Sequence, residues 1–254
     1  MLLLTEPSAH YAKLACQTFA SVYPRLFAHL YVVRPPRKTH ANMRRCADRS
    51  PQAMQLAQLV AGIKQQAAAL LESPNAGARI GAAKACQYVV QVQTRREGDP
   101  RLLAREVGVH MVPADHPFLR PPELEAEAAQ LFTRLVTLVF TSHVPDTIMV
   151  LVNVLTRLAA VTSHVRKVVI EALASWAPTA LAGVPYVHVR SVETTVRLSM
   201  LHFLRHGIGE PHASQLAAAL EAQKRRMDLA AQEFRHAQRE QAMRPVSYTH
   251  LTLP

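Results

Sequence analysis

The sequence predicts an all-α fold, a right-handed solenoid of antiparallel helix pairs that ends in a long C-terminal helix. Three observations carry that reading. Apolar residues recur at spacings of three and four along almost the whole chain, the period of a helix with one buried face. The composition joins 49% hydrophobic residues to only 8 glycines among 254 residues, the usage of straight-chain helix formers and small packing residues. The interruptions are proline-rich or charged connectors, and no run of roughly four to eight residues alternates cleanly between glycine-rich turns, so no sheet is expected.

In chain order, Tyr11, Leu14, Ala15, Phe19 and Val22 form one apolar stripe, and Pro24 is expected to kink or restart that helix before Leu26, Phe27 and Leu30. Residues 34–50 (RPPRKTHANMRRCADRS) read as a basic loop. Helices follow at 51–71 and 76–95, parted by Ser73-Pro74-Asn75, whose proline cannot continue the first of them. A second long connector, 97–121, holds Pro100, Pro113, Pro117 and Pro121. Four helices are then expected at 122–141, 145–160, 163–175 and 191–206, each begun by Pro or Ser. The last helix, 212–243, places Lys224, Arg225, Arg226, Arg235 and Arg239 between apolar or Ala positions, so it reads as basic and amphipathic.

This divides the chain into a solenoid at 1–220, expected to begin inside a longer one, and a basic helix at 221–245. Residues 246–254 (VSYTHLTLP) read as the translation of a common transposase sequencing adapter, so the natural chain is expected to continue beyond Arg244.

The 29 Lys and Arg against 18 Asp and Glu give a formal charge of +11, which calls for an acidic partner such as nucleic acid, a phosphorylated tail or an acidic protein surface. Cys16, Cys46 and Cys86 are odd in number and contain no Cys-x-x-Cys pair, which argues against a disulfide framework or a zinc site; they read as buried thiols. Without a basic leader or an apolar run of about 18 residues, the expectation is a soluble intracellular protein with no membrane partner.

Three hairpins share a local signal: Gly77-Ala78-Arg79-Ile80, His164-Val165-Arg166-Lys167 and Thr195-Val196-Arg197-Leu198. Each sets a small or β-branched residue before an Arg at what reads as a helix start. In a stacked repeat such an Arg can reach the turn or carboxylate of the neighbouring unit while its apolar neighbour packs between layers.

The segment Val112-Pro113-Ala114-Asp115-His116-Pro117-Phe118-Leu119, followed by Glu123-Leu124-Glu125-Ala126-Glu127, resembles the loop-to-helix junction of the symplekin family's N-terminal HEAT domain. Residues 191–206 (SVETTVRLSMLHFLRH) are similar to that family's penultimate helix, and Gly77-Ala78-Arg79 with Lys84 to its central repeat. The likeness runs to about Leu220, with 97–112 corresponding to the family's long basic loop, and departs from it at 34–50 and 212–243. The resemblance implies a HEAT-like, ARM-type fold and a nuclear, non-catalytic scaffold of mRNA 3′-end cleavage and polyadenylation. Such a scaffold recruits, through its concave face, a phosphatase acting on the C-terminal tail of RNA polymerase II and joins it to other subunits of the cleavage and polyadenylation factor. By that resemblance Lys84 is the first interface candidate; Arg79, Asn153, Arg157 and Lys167 follow because they fall on helices expected to line the same face.

Chemistry is poorly supported. The 13 histidines form no His-Glu-x-x-His and no ligand cluster with Cys, so neither a metal nor another cofactor is expected. His116, between Asp115 and Pro117, reads as a residue that hydrogen-bonds the loop end. Phosphate-cradling Gly-Lys-Ser/Thr and Gly-x-Ser-x-Gly are absent, so no enzyme is expected. Two other readings stand beside the scaffold: a different HEAT-repeat adaptor, and an RNA-binding module using Arg44, Arg45, Arg95, Arg96, Arg101 and Arg105, which would neutralise phosphates without base recognition because both loops lack stacking aromatics apart from Phe118.

Overall fold

The computed structural model describes residues 9–32, 49–95 and 106–243. Eight α-helices run through them: α1 (Ala9–Tyr31), α2 (Arg49–Ala69), α3 (Ala76–Gln93), α4 (Pro121–Thr141), α5 (Pro145–Val161), α6 (Ser163–Ser175), α7 (Tyr186–Arg205) and α8 (Ala213–Met243). Single 3₁₀ turns at Leu70–Glu72, Val109–Met111, Pro178–Leu181 and Glu210–His212 join or precede them. No strand occurs among the described residues, and none of their helices is long and apolar enough to cross a membrane. The architecture is all-helical packing of the α-solenoid kind.

Helix starts fall where local chemistry puts them. Asn75 caps α3 by accepting the Ala78 N–H at 3.1 Å. Prolines occupy the first turns of α4 and α5, where a missing N–H costs nothing. Two expectations are corrected. Pro24 lies inside α1, which continues without a restart to Tyr31, held on its buried side by Tyr23, Phe27 and Leu30 at 1–2% exposure. Helix α7 begins at Tyr186, five residues before Ser191, because Pro185 supplies the stop and Ser191 instead bonds back to the Val187 carbonyl from within the helix. Arg197 therefore sits in the middle of α7, not at a helix start.

The odd-numbered helices stack in sequence, α1 on α3, α3 on α5 and α5 on α7, and each even-numbered helix packs against its odd neighbours. Gly81 serves this stacking: a Cβ there would lie 3.1 Å from both the Lys13 carbonyl and the Cys16 Cβ, so its absence admits the close approach of α1 to α3. Between the rows lies one continuous core in which Leu135, Ile148, Leu151, Leu155, Leu158, Ile170 and Phe203 are wholly buried. Cys16 and Cys86 are buried in it as expected, and burial pushes their thiols up to about 11 and about 12, which leaves them unreactive. Cys46 lies outside the described residues.

The even row is looser. Between α4 and α6 a groove of about 620 Å³ opens, floored by Ala128, Phe132, Val165 and Val168 and rimmed by Arg95 and Glu125. Two ion pairs span the junction of α2 with α4, Lys64 with Glu127 and Arg134 with Glu72 at 2.7 Å, and α6 packs on α8. His116 joins the rows through the loop before α4. Its Nε2 lies 3.1 Å from the Leu30 carbonyl at the end of α1, and its Nδ1 accepts the Leu119 N–H at 3.0 Å. That pattern fits the neutral ring with the proton on Nε2, and burial accordingly holds its pKa below the ordinary histidine value.

Candidate partner-binding surface

The outward stripe of α3 is Ile80, Lys84, Gln87, Tyr88 and Gln91, the positions left accessible once the helix has buried Ala82, Ala83, Ala85, Cys86, Val89 and Val90. Lys84 is its exposed cation. On α5, which packs directly on α3, Asn153 and Arg157 are exposed one turn apart on the face opposite Leu151, Val152, Leu155 and Leu158. Three of the five interface candidates therefore lie on two adjoining helices of one row.

Of the other two, Arg79 serves the fold and Lys167 lies on another helix. Arg79 is half-buried at the start of α3. It donates to the Ser73 carbonyl at 2.5 Å, the Pro74 carbonyl at 2.9 Å and Thr147 Oγ1 of α5 at 2.9 Å. A repeat arginine is expected to reach the turn or carboxylate of the neighbouring unit: Arg79 reaches that unit at the Thr147 hydroxyl and otherwise bonds its own turn, whereas Arg166 donates only to the Ala159 carbonyl of its own hairpin at 3.2 Å. The Arg79 guanidinium, so occupied, positions α3 on α5. Lys167 is exposed on α6, in the even row, 3.9 Å from Glu171 one turn on.

Of the six arginines expected at phosphates, only Arg95 lies within the described residues; it is exposed and pairs with Glu125 at 3.0 Å, while Arg44, Arg45, Arg96, Arg101 and Arg105 fall outside them. Among the described residues no group of three or more His, Cys, Asp or Glu is placed to hold a metal ion. His202 and His206 lie one turn apart with ring centroids 4.4 Å from each other; burial of His202 and the neighbouring ring lower its pKa.

Sequence reasoning missed one polar site. Glu193 of α7, 3% exposed, accepts from Gln223 Nε2 at 2.6 Å and from Arg226 Nε at 2.8 Å, both on α8. Further along, Tyr186 stacks on Phe234 with ring centroids 4.7 Å apart, so the start of α7 meets the far part of α8. Beyond Phe234 the accessible positions 235–241 of α8 are all exposed, and the helix as a whole carries five Lys and Arg against four Asp and Glu, nearer neutrality than the sequence pattern suggested.

The family model described as Symplekin/PTA1 N-terminal matches residues 8–244. A search of the curated proteins found no match.

Proposed function

The chain belongs to the Symplekin/PTA1 N-terminal family, and from that premise we propose that it is a nuclear, non-catalytic scaffold of mRNA 3′-end cleavage and polyadenylation. It binds a phosphatase of the RNA polymerase II C-terminal tail and other subunits of the cleavage and polyadenylation factor. The helix pairs are antiparallel and wind as a right-handed superhelix. Because the odd helices touch one another while a groove opens in the even row, the odd row forms the inner, concave side of the curve.

One observation carries the placement of the phosphatase. Lys84, Asn153 and Arg157 are exposed together on α3 and α5, and neither cation has a carboxylate partner among the described residues. A cation left unpaired on a rigid helix adds attraction to an acidic partner without first breaking an internal bond. Arg79 supports this face from below, and Lys167 falls outside it. Against RNA contact through the arginines beside the two connectors, Arg95 is engaged by Glu125 and Arg120 by Glu123.

Calorimetric titration of the phosphatase into the chain tests the reading, with Lys84→Ala and Arg157→Ala alongside. Binding weakened about tenfold or more by either substitution, with unfolding unchanged, is the expected result. Binding indifferent to both substitutions removes the partner from this face.

A further inference from the structure

The cations of the odd row extend past the Lys84 patch, and their arrangement on α7 points to a ligand of its own. Arg190, Arg197 and Arg205 are seven and eight residues apart, close to two turns each, and so share one side of the helix over about 22 Å. Arg190 and Arg205 are exposed and Arg197 is half-buried. None of them forms an ion pair among the described residues. The sole carboxylate of α7, Glu193, is turned inward and neutralised by Arg226 and Gln223 of α8, so no negative charge on the helix interrupts the run. Arg157 of α5, the helix against which α7 packs, is exposed and adds a fourth guanidinium.

We propose that this arginine ladder binds the phosphate backbone of single-stranded RNA. All four cations are arginines, whose planar fork takes two phosphate oxygens at once, and their periodic spacing along a straight rod matches a polymer of regularly repeated charge. Recognition is independent of sequence: on this helix Tyr186 is already stacked on Phe234 and Phe203 is buried, so neither gives bases a platform. Arg190, Arg197 and Arg205 lie outside the phosphatase face, which shares only Arg157 with this site, so the ladder does not rest on that reading.

The test is fluorescence polarisation of a labelled 15-nucleotide oligouridine titrated with the whole chain at several salt concentrations. The triple variant Arg190→Gln/Arg197→Gln/Arg205→Gln is expected to weaken binding about tenfold or more and to lower the slope of log K against log salt by about 2, three single-strand contacts at roughly 0.7 each. Removing three charges elsewhere, Lys224→Gln/Arg235→Gln/Arg239→Gln on α8, is expected to change affinity less than about twofold. Lys84→Ala is expected to leave it unaltered. Should the triple variant fail to fold, the double variant at the two exposed positions, Arg190→Gln/Arg205→Gln, decides with an expected loss of about fivefold. Three results overturn the proposal: no binding at low salt, equal weakening by the α8 control, or binding of a 15-residue polyglutamate through the same arginines as tightly as RNA, which would assign the ladder to an acidic protein.

Discussion

The odd and even rows of helices carry similar numbers of cations and very different numbers of acids. The odd row has eight Lys and Arg against two Asp and Glu, and the even row has ten against eight. Four even-row cations meet a carboxylate, Lys64 on Glu127, Arg134 on Glu72, Lys167 on Glu171 and Arg226 on Glu193 of α7, while Lys224, Arg225, Arg235 and Arg239 of α8 form no ion pair among the described residues. On the odd row Lys84, Arg157, Arg190, Arg197 and Arg205 stay without a carboxylate among the described residues, and Asp146 is the row's one exposed acid. Ion pairs across helices thus reinforce two junctions, α2 with α4 and α7 with α8, whereas the exposed cations of α3, α5 and α7 sit where apolar contact already holds the helices and are left for a partner.

That division makes graded predictions. The largest effect is expected at the joint between α7 and α8: Glu193→Ala takes the counter-charge from Arg226, about a third exposed, and one acceptor from buried Gln223, and should cost about 2–3 kcal/mol in urea unfolding. An unfolding midpoint unaffected by this change would show that α8 is held by its apolar stripe alone. Next is the even-row bridge. Glu127→Ala leaves Lys64, only 8% exposed, without its counter-charge and should cost about 1–3 kcal/mol, and Lys64→Met in the same chain should restore at least half of that.

The third lies at the loop that ties α1 to α4. His116 has its pKa lowered in the fold, so the folded protein binds fewer protons there than the unfolded chain. Its contribution is therefore complete above about pH 6.5, the unfolded value, and declines as pH falls from there towards the lowered folded value. His116→Asn should flatten that acid limb of the stability profile and cost about 1–2 kcal/mol at neutral pH through the lost hydrogen bonds. The smallest effects belong to the odd face: Lys84→Ala, Arg157→Ala and Arg197→Gln should each move stability by no more than about 0.5 kcal/mol. A larger loss at Arg197 would return it to the structural role its hairpin context suggested.

The sequence made the periodic features plain and hid those that depend on distant residues. Pro145 and Ser163 announced their helices to the residue, because proline and serine at a first turn act locally. Ser191 misled for the same reason: a hydroxyl suited to a cap can equally bond back within a helix, and only the preceding Pro185 separates the two cases. Lys84 was singled out by the resemblance to the family's central repeat, and Asn153 and Arg157 by the helix they fall on, which packs on α3. Arg79 looked like their companion, yet its bond to Thr147 spans 68 residues, a separation over which spacing carries no information. The inward turn of Glu193, which leaves the arginines of α7 unopposed, was likewise decided by α8, 30 residues further on.

The groove between α4 and α6 also has a mechanical meaning. A stack of rods in contact along one side and parted at one junction of the other behaves as a beam whose stiff edge is the contacting side. Bending concentrates where the parted side can widen or narrow, here over Ala128, Phe132, Val165 and Val168. A load applied to the odd face is then felt as a change in gap width on the opposite flank, so the curvature of the whole arc is set by how far those four apolar side chains are allowed to close.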